Sequence, residues 1–103
     1  MSPWEFHPAL VHFPIAFLVG AVVLDLYAWR TPPERNLEKT VTGLYLVGVA
    51  TAVIAALSGW LAFFTGPATF TDEAGELIWW HIGSAGGAIA AFAIVAALLQ
   101  RAR

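Results

Sequence analysis

The chain has 103 residues, of which 59% are hydrophobic and only 12% charged, with a net charge of −2. A soluble domain carries roughly 25% charged residues, so an ordinary water-facing enzyme domain, a disordered tail and a basic nucleic-acid binder are all excluded. There is no cysteine, which removes disulfides, thiolate zinc sites, iron–sulfur clusters and covalently attached c-type haem. The reading is a single transmembrane domain over residues 1–103 whose solvent is lipid.

The fold class is all-α, with three spans at about 8–29, 41–64 and 77–99. A bilayer core of about 30 Å needs around 20 apolar residues per helix, and each of these stretches supplies them. No formal charge occurs between Lys39 and Asp72, or between Glu76 and Arg101. The first span holds Asp25, but also eleven residues of the Leu, Ile, Val and Phe class. Their summed insertion free energy, at about −0.3 to −0.6 kcal/mol each, exceeds the cost of about 2.5–3.5 kcal/mol for a central Asp. Asp25 itself reads as an interfacial ion-pair or helix-contact residue. Met1 to His7 carries no Lys or Arg and the apolar run after it is long, so the first helix is expected to be retained rather than cleaved as a signal peptide.

Between the spans, Thr31-Pro32-Pro33 stops the first helix and Asn36 leads into the second. Gly66-Pro67 breaks the second, and Thr71-Asp72-Glu73 precedes the third. All five basic residues fall in the first connection (Arg30, Arg35, Lys39) or at the C-terminus (Arg101, Arg103). The positive-inside rule then places the N-terminus outside and the C-terminus in the cytoplasm, in a multi-pass protein of the inner (cytoplasmic) membrane. Trp4, Trp60, Trp79 and Trp80 would mark the outer interface, and Tyr27, Trp29 and Tyr45 the inner one.

Ionisable side chains within a membrane default to a functional hypothesis. His12 and His81 are expected at similar depth below the outer surface, facing inward across small-residue surfaces. These surfaces are Ala16 and Gly20 on the first helix, Gly48, Thr51, Ala52, Ala55 and Gly59 on the second, and Ala85, Ala88 and Gly83-x-x-x-Gly87 on the third. Pro14 frees the Leu10 carbonyl and tends to kink the helix beside His12. Two inward imidazoles in an apolar slot suit axial ligation of a b-type haem, although no outer Lys or Arg is at hand for its propionates. A divalent metal held by His7, His12, His81 and an acid from Asp72, Glu73 or Glu76 is a second version. The alternative is structural: His12 and His81 bond each other, the carbonyl freed by Pro14, or Ser84, and fasten the helices. No nucleophile–base pair or phosphate loop is present, so the chain is not read as an enzyme.

The block His7-Pro8-Ala9-Leu10-Val11-His12-Phe13-Pro14-Ile15-Ala16 resembles the opening helix of a bacterial family of predicted small membrane proteins, domain of unknown function twenty-two thirty-one. Looser similarity extends to Ser58-Gly59-Trp60 and to His81. Members of that family often have four spans and occur beside or fused to cytochrome-like and other redox proteins. The resemblance therefore implies a small subunit of a redox-linked membrane assembly, with His12 and His81 as its haem candidates. It also implies partners: other membrane subunits, or further copies of the chain lending the missing helix. A cofactor-free packing subunit and a small ion or proton transporter are the competing functions.

Overall fold

A computed structural model describes residues 5–65 and 72–102. Its helices are α1 (Phe6–Leu10), α2 (His12–Trp29), α3 (Arg35–Thr65) and α4 (Asp72–Ala102). The α1–α2 pair behaves as one span, Phe6–Trp29, interrupted at Val11. Pro14 has no N–H to give to the Leu10 carbonyl, so the hydrogen-bond ladder skips there. Val11 nonetheless keeps helical angles and bonds back to the His7 carbonyl at 3.1 Å. Among the described residues, three helices are therefore long and apolar enough to cross a membrane, and the expected spans lie inside them.

Both long helices extend past the expected ends. At a rise of 1.5 Å per residue, a 31-residue helix runs about 46 Å, well beyond the apolar thickness. The early start of α3 has a local cause: the Glu34 carboxylate accepts from the backbone N–H groups of Asn36 (2.9 Å) and Leu37 (2.8 Å), serving two orphan donors of the first turn. At the end of α2, the Thr31 hydroxyl donates to the Tyr27 carbonyl at 3.2 Å. Trp4, Gly66, Pro67, Thr71 and Arg103 lie outside the described residues, as do the side chains of Asp72 and Glu73.

α3 is the central helix, packed against α1, α2 and α4. Its inward stripe is Val41, Tyr45, Gly48, Ala52, Ala55 and Ser58, all buried and three or four residues apart. The hydrophobic core gathers near the ends that carry the basic residues, where Ala21, Val41, Tyr45 and Ala96 meet. Tyr45 is thus a core residue, only 4% exposed, and not part of an interfacial belt. Its hydroxyl donates to Asp25 Oδ2 at 3.1 Å, which makes Asp25 a helix-contact residue. Toward the opposite end of the bundle two cavities open between the helices.

Candidate functional site

Six residues of the first span form its inward ladder: His7, Val11, Pro14, Leu18, Ala21 and Asp25. Each is buried or half-buried, and Pro14 and Ala21 are fully so. His7 and Asp25 stand about five helical turns apart on one face. His12 belongs to another ladder, with Ala16, Val19 and Val23, and every member of it is exposed. The expected inward placement of His12 is therefore corrected. Five residues of helix separate it from His7 by about 140° around the axis, so only one of the two can face the bundle, and the buried ladder takes His7.

His7 meets His81. Their ring centroids are 6.1 Å apart, with the planes at 77°. Height explains the pairing as well as facing. α4 begins at Asp72 rather than near Leu77, so His81 lies deeper along its helix than the expected start implied. Counted back from Ala21 and Ala96, which meet in the core, His7 and His81 lie 14 and 15 residues away, and His12 only nine.

α3 fixes the His7 ring. Nδ1 lies 2.9 Å from the Ala55 carbonyl oxygen and 3.1 Å from Ser58 Oγ. The Ser58 hydroxyl itself donates to that carbonyl at 2.6 Å. A carbonyl can only accept, so Nδ1 must carry the proton, and the lone pair is left on Nε2. Gly59 completes the cradle. A Cβ there would come within 3.0 Å of His7 Cε1 and 3.2 Å of Nδ1, so glycine is what lets the imidazole lie against the backbone. Ser58 carried only a loose signal in the sequence; its place one turn beyond Ala55 on the buried stripe marks it, with Gly59, already on the small-residue face, beside it.

The structural pairings expected of the other groups are not the ones formed. Ser84 donates to Trp80 O at 2.7 Å within its own helix. Among the described residues no group of three or more His, Asp or Glu side chains is placed to hold a metal; His7 and His81 come together and His12 does not join them. Gly83 and Gly87 face open space, with nothing within 4 Å of an added Cβ, whereas Gly48 meets Leu18 at 2.5 Å. Close helix approach is thus made on α3 and not on the Gly-x-x-x-Gly pair of α4.

Both cavities touch the two histidines. One, of about 470 Å³, runs as a groove between α2 and α4 over the floor of α3, down to Val22 and Phe92. The other, of about 310 Å³, lies between α3 and α4 and is walled by Gly59, Trp60, Phe63 and Gly86. Apart from the histidines, their linings are almost wholly apolar. The arrangement offers two imidazoles, His7 half-buried with a fixed tautomer and His81 exposed, beside apolar volume on two sides.

A family model described as predicted membrane protein (DUF2231) matches residues 4–103. No curated protein and no solved structure matches the chain.

Proposed function

The chain belongs to this family of predicted membrane proteins, and from that premise we propose that it is a small redox-linked subunit of the cytoplasmic membrane holding a b-type haem through His7 and His81. The observation that carries the reading is the 6.1 Å separation of the two rings. Metal–imidazole bonds of about 2.0–2.1 Å put a ring centre roughly 3 Å from the metal, so two rings on opposite sides of one iron have centres roughly 6 Å apart. The donor set fits too. Ligating histidines usually give their other N–H to a carbonyl or carboxylate, which fixes the ring and raises its basicity; His7 does so to Ala55. Bound there, haem would supply reversible one-electron chemistry, with no catalysis by side chains.

Ala55 and Ser58 would hold the His7 ring in place, and His81 would offer a second imidazole from α4. The side chains around the pair are almost wholly apolar. His12 faces outward and has no part in ligation. The N-terminus lies outside and the basic connection in the cytoplasm, which puts the histidines toward the outer leaflet.

A second reading has its own support. The contacts from His7 to Ala55 and Ser58 already satisfy Nδ1 and tie α1 to α3, as a cofactor-free packing subunit would require. Optical spectra of protein purified in mild detergent, with iron analysis, separate the two. The haem reading expects a Soret band that disappears in His7→Ala and in His81→Ala and survives in His12→Ala. An iron-free, colourless preparation that stays so when haemin is added leaves the packing role.

A further inference from the structure

At the basic end of the bundle all three spans carry the same surface pattern. On α2, Val23, Tyr27 and Arg30 follow at intervals of four and three residues, which stacks them on one face. Arg30, the C-cap, keeps helical angles and so continues the row. On α4, Ile94, Leu98 and Arg101 repeat the spacing; on α3, Arg35 and Lys39 stand one turn apart, with Leu46 two turns further in. Every one of these residues is exposed, and Val23, Tyr27, Ile94 and Leu98 are each more than half so. Each row is apolar toward the middle of the bundle and ends in a cation.

The cations also share a height. Ala21, Val41 and Ala96 meet in the core. Measured outward from them along the helices, Arg30 lies about 14 Å away, Arg35 about 9 Å, Arg101 about 8 Å and Lys39 about 3 Å. Lys and Arg stems lie along apolar surface while their charges reach outward, so four cations from three helices make one collar. Residues 30–40 and 101–103 hold five cations against two carboxylates, Glu34 and Glu38. Glu34 is turned to the backbone N–H groups of Asn36 and Leu37. Asp25, deeper on α2, accepts from Tyr45. The collar is therefore net positive.

A complementary ligand carries negative charge at one end and hydrocarbon below it. A soluble anion would match the cations and leave the apolar rows unused. We propose that the collar selects anionic phospholipids over zwitterionic ones, with phosphates at Arg30, Lys39 and Arg101 and acyl chains along the rows beneath them. A zwitterionic headgroup brings an ammonium to the same cations and loses most of the attraction. The Tyr27 hydroxyl, one turn below Arg30, adds a neutral donor to the headgroup. This collar lies at the end remote from His7 and His81, so it stands or falls independently of the haem reading.

The test places the full-length protein in phosphatidylcholine bilayers with spin-labelled lipids, and electron paramagnetic resonance separates lipid held at the protein from bulk lipid. Attraction of anionic lipid is worth about fivefold per nearby cation before screening. Labelled phosphatidylglycerol should therefore associate at least threefold more strongly than labelled phosphatidylcholine at low salt. Arg30→Gln, Lys39→Gln and Arg101→Gln combined should bring that ratio close to one. The charge-keeping set Arg30→Lys, Lys39→Arg and Arg101→Lys should preserve it. The phosphatidylcholine label should be held equally by all three proteins, which shows that each is inserted. Equal association of the two lipids with the unaltered protein, or a ratio that the Gln set retains, overturns the proposal. So does a ratio abolished by millimolar pyrophosphate at constant ionic strength, because the cations would then serve a soluble anion. A ratio lost wholly in one single Gln variant and unchanged in the other two also overturns it, since one helix end and not a collar would be responsible.

Discussion

At Gly59 the backbone of α3 lies directly under the His7 ring, and a single methyl group tests how tightly the ring is held. Gly59→Ala would put a carbon 3.0 Å from Cε1, closer than an ordinary contact, so the imidazole must tilt and its bond to the Ala55 carbonyl must lengthen. The expected outcome is a loss of about 1 kcal/mol in stability, together with weakened haem binding measured by haemin titration. Ser58→Ala is milder. The Ala55 carbonyl keeps its bond from His7 and loses only the hydroxyl, so haem affinity should change less than in Gly59→Ala; an equal or larger loss would show that the serine, and not the carbonyl, sets the tautomer. Near the other end, Tyr45→Phe removes the donor to Asp25. Side-chain hydrogen bonds in membranes average about 0.6 kcal/mol, and a shift of that order in a denaturant titration is expected, with the Soret band unchanged because the core there is remote from the histidines.

Among the helices, the glycines divide into those that make a contact and those that only could. Gly48→Ala drives a methyl into Leu18, 2.5 Å from Cδ2 and 2.7 Å from Cγ, with the Leu18 backbone nitrogen 3.4 Å behind. Overpacking of this kind costs about 1–3 kcal/mol. Gly87→Ala meets nothing within 4 Å and should be neutral or stabilising by up to about 1 kcal/mol through helix propensity. Thermal unfolding of the two variants in one detergent measures the contrast; equal destabilisation would mean that α4 packs through its glycine pair after all, against another chain. This division also shows where the sequence was legible. The three spans follow from uncharged length, and the middle of the α3 stripe, Gly48, Ala52 and Ala55, follows from small residues at helical spacing, whereas Tyr45 reads as interfacial until its bond to Asp25 is seen. The choice between His7 and His12 was harder, since the Gly-and-Ala criterion favours the side of Ala16 and Gly20. What settles it is the phase of the whole ladder. Asp25 must bury its carboxylate against a partner, His7 lies about five turns away on the same face, and Pro14 and Leu18 fall between them. The height of His81 is not legible in the sequence, because the chain before Leu77 reads as loop, whereas α4 already begins at Asp72.

For the molecule as a whole, the placement of charge makes a claim about direction that packing does not. The first connection holds Arg30, Arg35 and Lys39, and the far connection holds Asp72, Glu73 and Glu76 with no basic residue. Short basic loops resist translocation, while acidic ones contribute little. The two chain ends should therefore lie on opposite sides of the membrane, with Arg101 inside. This orientation decides which leaflet the His7–His81 pair faces, and hence from which side an electron partner could approach. The chain contains no cysteine, so single introduced thiols report without background. Ser2→Cys should react with a membrane-impermeant maleimide in intact spheroplasts, and Arg35→Cys and Arg101→Cys only after the membrane is opened. Replacing Arg30, Arg35, Lys39 and Arg103 by Gln, with Arg101 as Cys or Gln, while placing Lys at positions 73 and 76 leaves basic residues only on the far side; labelling of Ser2→Cys and Arg101→Cys should then exchange. If the unaltered chain labels at Arg35→Cys in intact spheroplasts, the histidine pair faces the cytoplasm and the proposed outer-leaflet site must be inverted, with its internal geometry unchanged.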